Sequence, residues 1–250
     1  MVEELDLEQI GEKELNARLQ ALGPGVPSPA PGPQAQAAKR APTKVILRNT
    51  HARHNIAVNV SGALEIEVHG SAGFYCCGFM NGPTVTVTGN VGWYAADNML
   101  GGKLVVLNNA GSNLAPSMIG GTVLVRGSAG SRVGYGLKGG TVVVCGDVGM
   151  LTGQQMLGGR IVLLGKVGEQ SGESMYGGLI CYRRGALAGT GSNVRTRPLE
   201  AAEAEALALL FAENNLQADP AEFEGLVPKS GKQKFQLFKP QLEAREKVPQ

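Results

Sequence analysis

The residues best suited to chemistry in this sequence are four cysteines and three histidines. Cys76 and Cys77 are adjacent, whereas Cys145 and Cys181 stand alone, and none of them forms a C-x-x-C pair. No histidine or cysteine lies at a spacing typical of metal ligands, and adjacent cysteines do not easily bridge one another. The sequence therefore predicts small, buried or half-buried thiols in a reducing compartment, and no metal site.

Charge and hydropathy exclude several classes of function. The net charge is +2 at pH 7, and the basic stretch KRAPTK is too short to form a nucleic-acid patch. No run of 18 apolar residues is present, so we expect no membrane span. The N-terminal MVEELDLEQI is acidic and lacks the apolar core of a secretory signal. We expect a cytoplasmic protein that binds neither nucleic acid nor membranes.

Glycine is the strongest compositional signal, with 37 of 250 residues, and it recurs with a period of 19 residues. Each period holds a Gly-Gly or Gly-Pro pair, followed by an apolar alternation such as Val85 and Val87. A column of mostly methionine precedes each pair: Met80, Met99, Met118, Leu137, Met156 and Met175. A second column holds small residues: Cys77, Ala96, Ala115, Gly134, Gly153 and Gly172. Six coils keep this phase without an insertion.

A period of 19 residues is too short for a pair of helices, and no 3.6-residue periodicity occurs within it. Each period instead predicts a short strand, a turn, a second short extended piece and another turn. Coils stacked in this way form a right-handed parallel β-helix, an all-β core over residues 44–190. Because equivalent positions stack, the methionine column should form a ladder inside the core.

Other segments flank the predicted β-helix. Residues 1–23 include a short helix with an apolar stripe of Leu15, Leu19 and Leu22, and residues 24–43 form a Pro- and Ala-rich linker. Residues 191–250 hold an amphipathic helix and then a basic arm that contains Phe235 and Phe238. We expect the C-terminal helix to cap an open end of the β-helix. The N-terminal helix either caps the first coil or docks on a partner, and we expect docking.

The repeat resembles a known family. The pattern G-x-x-G-x-x-x-G-x-x-M-x-G-G, as in GDVGMLTGQQMLGG and GKVGEQSGESMYGG, is similar to the GXGXG family over about residues 45–190. That family forms the C-terminal β-helix domain of the glutamate synthase large subunit. It also occurs as a separate subunit in N-methylglutamate synthase and in formylmethanofuran dehydrogenase.

The resemblance implies a structural role, because the β-helix of this family carries no catalytic residue. It implies a scaffold subunit of a glutamate synthase-like complex, most similar to N-methylglutamate synthase of methylamine metabolism. The subunit would join a glutaminase-type, class II amidotransferase-like subunit to an FMN-binding synthase subunit that holds the FMN and Fe–S groups. The alternative is a C-type subunit of a formylmethanofuran dehydrogenase or formyltransferase/hydrolase complex in one-carbon metabolism. In either case we expect a hetero-oligomer and no cofactor in this chain.

Residues outside the predicted core ladder are interpreted as structural or as contact residues. His51, His54 and His69 are expected in turns or on the surface, and Cys145 is expected to point outward. The residues predicted to contact partner subunits are Leu15, Leu19, Leu22, Phe74, Trp93, Phe235 and Phe238.

Overall fold

The predicted parallel β-helix is confirmed in residues 2–23 and 42–230, the part of the chain that the computed structural model describes. It is a solenoid of about seven turns with 19-residue coils and two helices. The helices are α1, Glu12–Leu22, and α2, Ala201–Glu213, and a short 3₁₀ helix spans Pro220–Glu222. Phe235, Phe238 and nearly all of the predicted linker lie outside the described residues.

The described residues contain eleven strands: β1 Val2–Asp6, β2 Thr43–Arg48, β3 Leu64–Val68, β4 Thr84–Val87, β5 Lys103–Val106, β6 Thr122–Val125, β7 Thr141–Val144, β8 Arg160–Leu163, β9 Leu179–Arg183, β10 Val194–Pro198 and β11 Phe223–Pro228. They form one sheet along the solenoid, in the order β1 to β9, then β11 and β10. Neighbours from β1 to β9 are parallel, and β11 is antiparallel to both β9 and β10. Val85 pairs with Leu104, and Leu104 pairs with Val123, so one coil of 19 residues advances the chain by one strand.

The methionine column lies inside the solenoid. Its six members are each at most 1% exposed: Met80, Met99, Met118, Leu137, Met156 and Met175. A Cβ atom on Gly121 would lie 2.6 Å from the terminal methyl of Met99, and one on Gly178 would lie 2.5 Å from that of Met156. The glycine pairs therefore serve two purposes: they turn the chain, and they leave room for the methionine side chains.

After its strand and a first turn, each coil makes a second short parallel pairing, as between Ala72 and Val91, which is the predicted second extended piece, and then a longer turn. Tyr75, Cys77 and Phe79 have φ values of 59°, 62° and 55°, and the same alternation recurs in the other coils. An extended strand has negative φ throughout, so this part of the coil is a turn, which the sequence predicts without its alternating left-handed conformation. The small-residue column that contains Cys77 lies at a position that is both left-handed and buried, which favours glycine and alanine. We call these segments the turn wall: residues 55–59, 74–79, 93–98, 112–117, 131–136, 150–155 and 169–174.

Helix α1 closes the first coil. Leu15 and Leu19 are fully buried in the core of the solenoid, and Asn16 donates from its side-chain amide to the Asn55 carbonyl across 2.7 Å. The Arg53 guanidinium donates to backbone carbonyls of the segment that joins β1 to α1. The expected docking of Leu15 and Leu19 on a partner is therefore corrected. These leucines complete the chain's own core, because an open solenoid end would otherwise expose apolar side chains to water.

Helix α2 lies on the outer face of the sheet rather than over its open end. Leu207 and Phe211 pack with Leu124, Val143 and Val162, which point outward from β6, β7 and β8. The open end is covered by the antiparallel pair of β10 and β11, whose Val194 and Leu226 belong to the solenoid core. The expectation that the C-terminal helix caps the solenoid was wrong, because the outward side of these strands is itself apolar and needs cover.

Candidate interaction surface

Five aromatic side chains form an exposed patch on the turn wall, near the N-terminal end of the solenoid. They are Phe74, Tyr75 and Phe79 of one coil and Trp93 and Tyr94 of the next, and we call them the aromatic face. Phe74, Tyr75, Phe79 and Trp93 are between 41% and 53% exposed, and Tyr94 is half-buried. Exposed aromatic clusters of this kind are typical of binding surfaces, since Tyr, Trp and Phe are enriched there.

The 19-residue period stacks these rings in two columns. The ring centroids of Phe74 and Trp93 are 5.7 Å apart, and those of Tyr75 and Tyr94 are 5.0 Å apart. His54 extends the first column, with its ring centroid 4.6 Å from that of Phe74. Interplanar angles of 9° to 19° make all three pairs parallel stacks. Such pairs add about 0.5–1.5 kcal/mol each beyond their buried area, so the face is held in one arrangement.

Glycines of the following coil support the rings. A Cβ atom on Gly92 would lie 2.6 Å from Cδ1 of Phe74, and one on Gly111 would lie 2.4 Å from Cδ1 of Trp93. Each ring therefore rests on backbone that carries no side chain, and its outer edge points to solvent. The glycine column at this corner is required for the aromatic face as well as for the turn.

The character of the turn wall changes towards the C-terminal end. The positions that follow Trp93 and Tyr94 in the next coil are Ser112 and Asn113, and the last described coil of the wall carries Glu169 and Glu173. At the aromatic end, burial raises the pKa of the Asp97 carboxyl, while a hydrogen bond from Asn98 opposes that shift. The side chains of the turn wall thus change from aromatic near its N-terminal end, through small and polar, to acidic in its last described coil.

The thiols are poor candidates for catalysis. Cys76 and Cys77 are fully buried with their sulfur atoms 3.6 Å apart, and the hydrogen bond with Cys76, together with burial, raises the pKa of Cys77. Burial raises the pKa of Cys181 to about 12, and it also raises that of Cys145, which is half-buried beneath α2. Protonated thiols are weak nucleophiles, so these cysteines act as packing residues.

The histidines hold neighbouring coils together. His51 lies 3.0 Å from Glu8, and His69 lies 3.2 Å from Arg48. The Nδ1 atom of His54 accepts a hydrogen bond of 2.9 Å from the Phe74 backbone amide. Within residues 2–23 and 42–230 no three His, Cys, Asp or Glu side chains are grouped closely enough to hold a metal ion. In the same ranges no helix is long and apolar enough to cross a membrane.

The structure places two of the predicted contact residues, Phe74 and Trp93, side by side in the aromatic face. Sequence reasoning did not select Tyr75, Tyr94 or Phe79 as contact residues. A signal for the two tyrosines was present, because each follows a predicted contact residue and they are 19 residues apart. Phe79 offered no such signal, since its equivalent in the next coil is Asn98.

Comparison with known proteins identifies the repeat. The model of the GXGXG motif family matches residues 36–205. A chain in the crystal structure of the formyltransferase/hydrolase complex (FhcABCD) from Methylorubrum extorquens, in complex with methylofuran, is similar with a TM-score of 0.63. The two chains are 20% identical, and the alignment covers 86% of this chain and 85% of that one, which shows a shared fold. No curated protein matches this sequence.

Proposed function

This chain belongs to the GXGXG motif family, and from that premise we propose that it is a non-catalytic structural subunit of a multisubunit enzyme. The observation that carries the proposal is the family match, which spans the entire run of 19-residue coils. GXGXG proteins belong to multisubunit enzyme complexes, and the similar solved chain is itself part of one.

The geometry supports a structural role. The methionine column and alternate strand residues such as Val85 and Val87 point into the solenoid, and its corners are occupied by glycine. The outward-pointing side chains of the middle strands also have a packing role, because α2 covers Val143 and Val162. The side chains that remain exposed on the turn wall are suited to contacts with another surface rather than to bond making and breaking.

We propose a formyltransferase/hydrolase-type complex as the assembly. The support is that the similar chain of such a complex corresponds to this one nearly from end to end, over 86% and 85% of the two lengths. The shared part therefore includes more than the repeat that the family model recognises. In such a complex this chain would be a structural subunit of a one-carbon-transferring enzyme, and any cofactor would be held by other subunits.

A second candidate is a glutamate synthase-like complex, N-methylglutamate synthase above all. It is favoured by the Asn49-Thr50 pair before the first coils and by the helix after the repeat, which resemble parts of glutamate synthase. In the structure, the Thr50 hydroxyl donates to the Ser71 carbonyl across 2.8 Å and thereby anchors the first turn of the solenoid. The partners would then be a glutaminase-type subunit and an FMN-binding subunit that also holds the Fe–S group.

Affinity purification separates the two candidates. The chain is tagged in its source cells, and the proteins that co-purify in near-stoichiometric amount are identified by mass spectrometry, with an untagged strain as the control. We expect formyltransferase/hydrolase subunits. Recovery of glutaminase-type and FMN-binding subunits would replace the first candidate by the second, and recovery of the chain alone would contradict a subunit role. The isolated chain should show no flavin absorbance after gel filtration.

A further inference from the structure

We propose that the turn wall is the interface of a two-fold symmetric dimer, in which the turn wall of a second copy of this chain packs antiparallel against it. The two-fold axis passes through the middle segment of the wall, residues 112–117. Such a dimer forms from the isolated chain, whichever complex the chain joins, and is therefore a property beyond the proposed subunit role.

The turn wall presents its exposed side chains in two rows. In every segment from residues 74–79 to residues 169–174, the two central residues are buried, so the exposed side chains lie at the first two and the last two positions. We call these the first row and the second row. A two-fold axis perpendicular to the wall reverses both directions on it. It therefore places the first row of one copy over the second row of the other, and it exchanges the coils on either side of the middle segment.

Arg132 and Asp97 occupy positions that this symmetry brings together. Arg132 lies in the first row, one coil after the middle segment, and Asp97 lies in the second row, one coil before it. The Arg132 side chain is exposed and makes no hydrogen bond or ion pair with the described residues. The Asp97 carboxylate is half-buried and accepts a hydrogen bond of 2.9 Å from the Asn98 side-chain amide. The dimer therefore contains two ion pairs, each between Arg132 of one copy and Asp97 of the other.

The same rotation pairs exposed apolar side chains. Phe79 is 47% exposed and lies in the second row, two coils before the middle segment. Met150 is 43% exposed and lies in the first row, two coils after it, so the rotation places one over the other. Trp93, in the first row, comes to face Tyr135 and Gly136 of the second copy, where glycine leaves room for the indole ring. Burial of these side chains stabilises the dimer.

The middle and the ends of the turn wall also suit this arrangement. Ser112, Asn113 and Ser117 lie around the axis, and their small polar side chains allow the two walls to approach closely. At the ends, the exposed His54 continues the first row three coils before the middle segment, and Glu173 lies in the second row three coils after it. The acidic end of one copy therefore meets the histidine of the other, which favours this antiparallel register.

The area of the turn wall fits a dimer in equilibrium with its monomer. Seven coils at a spacing of about 4.8 Å give a length of about 34 Å, and six residues span at most about 20 Å across the wall. Each copy can therefore contribute up to about 700 Å², or about 1,400 Å² for the pair, which lies in the lower part of the range of specific interfaces. We expect a dimer that dissociates at about micromolar concentration.

Trp93 is the only tryptophan in the chain and reports on the burial of the turn wall. Its ring is 53% exposed in the single chain. If the dimer covers it, the acrylamide quenching constant of the full-length protein should fall at least about twofold as the protein concentration rises from about 1 to about 100 μM. A quenching constant that does not change with concentration would overturn the proposal.

Charge reversal tests the contact between Arg132 and Asp97. Sedimentation velocity over the same concentrations should show the unaltered full-length chain passing from monomer to dimer. Arg132→Glu and Asp97→Lys each place like charges at both copies of the contact, so each should weaken the dimer at least about tenfold. The matched control is Arg195→Glu, which reverses an exposed charge on β10, outside the turn wall, and should dimerise as the unaltered protein does.

Mixing the two variants distinguishes this register from others. In a mixture of Arg132→Glu and Asp97→Lys, the new glutamate of one chain faces the new lysine of the other, and the remaining Arg132 faces the remaining Asp97. The mixture should therefore dimerise to within about threefold of the unaltered protein. A mixture that stays monomeric, or a dimer that neither reversal weakens, would overturn the proposal. An unaltered chain that remains monomeric at about 100 μM would also overturn it and leave the wall to another subunit.

Discussion

A Cβ atom built on Gly140 would lie 2.4 Å from the terminal methyl group of Met118, which belongs to the preceding coil. Gly140 has a φ of +77°, so it also provides a conformation that side-chain-bearing residues adopt at a cost. The glycine and methionine columns are therefore not independent features of the repeat. Gly140 both turns its own coil and makes space for a side chain of the coil before it.

Replacing Gly140 with alanine should lower the free energy of unfolding by about 2–4 kcal/mol, since backbone strain and overpacking add. The matched control is Gly185→Ala, because Gly185 has a φ of +80° with open space around it. The Gly185→Ala variant should lose only about 1 kcal/mol of unfolding free energy, from the backbone strain of alanine at positive φ. Urea denaturation of both variants measures the difference. Equal losses would show that the crowding at Gly140, from the Met118 methyl and the Gly121 carbonyl oxygen, has no energetic weight.

Leu19→Ala tests whether α1 is a cap. Leu19 is fully buried in the solenoid core, so its truncation should destabilise the protein by about 2–5 kcal/mol and lower the melting temperature. The neighbouring Arg18 is exposed, and Arg18→Ala should change the stability by no more than about 0.5 kcal/mol. An unchanged melting temperature for Leu19→Ala would restore the interpretation that this helix docks on a partner.

The position of α2 on the sheet predicts a contrast between two of its leucines. Leu207 is buried against the outward side of the middle strands, whereas Leu209 is 59% exposed. Leu207→Ala should cost about 2–5 kcal/mol of unfolding free energy, and Leu209→Ala should be within about 0.5 kcal/mol of the unaltered protein. Thermal denaturation compares the two variants. Similar losses at both positions would mean that the helix packs elsewhere.

The stability should depend on pH through Glu203. The Arg197 guanidinium donates to both Glu203 oxygens, at 2.6 and 2.7 Å, and it lowers the pKa of that carboxyl. A lowered folded-state pKa stabilises the protein above the unfolded value of about 4.3, and the contribution is lost as the pH falls through the lower folded value. Glu203→Gln should therefore cost about 1–3 kcal/mol at pH 7 and progressively less in acid.

Glu205→Gln provides the control, because Glu205 is exposed on the same helix. Its effect at pH 7 should be within about 0.5 kcal/mol, because the side chain is exposed. Urea denaturation at pH 7 and in steps below pH 4.3 compares the variants with the unaltered protein. A constant difference for Glu203→Gln across that range would contradict a role for the Arg197–Glu203 pair.

The coil length, the strand and the inward-pointing residues of the solenoid could be predicted from the sequence because the contacts between coils are periodic. Stacked coils repeat every contact at the same spacing, so Met99, Met118 and the residues between them determine the coil length, the strand and the inward ladder. The sequence predicted a turn in this part of the coil but not the alternating left-handed conformation of the turn wall, although the small-residue column was visible. The left-handed positions beside that column carry residues as different as Tyr75, Tyr94 and Asn113, which give no sequence signal. Neighbouring coils impose their conformation through hydrogen bonds like that from the Tyr75 amide to the Trp93 carbonyl.

The sequence by itself determined the 19-residue coil, the residues inside it and the existence of both flanking helices. Only the tertiary structure decided where those helices lie, because an amphipathic stripe such as Leu15 and Leu19 suits any apolar surface of the right size. The outward positions of the strands change from Glu67 in β3 to Val143 in β7, which selects the place that α2 covers. The stacking of Phe74 on Trp93 likewise depends on the coils coming into register in three dimensions.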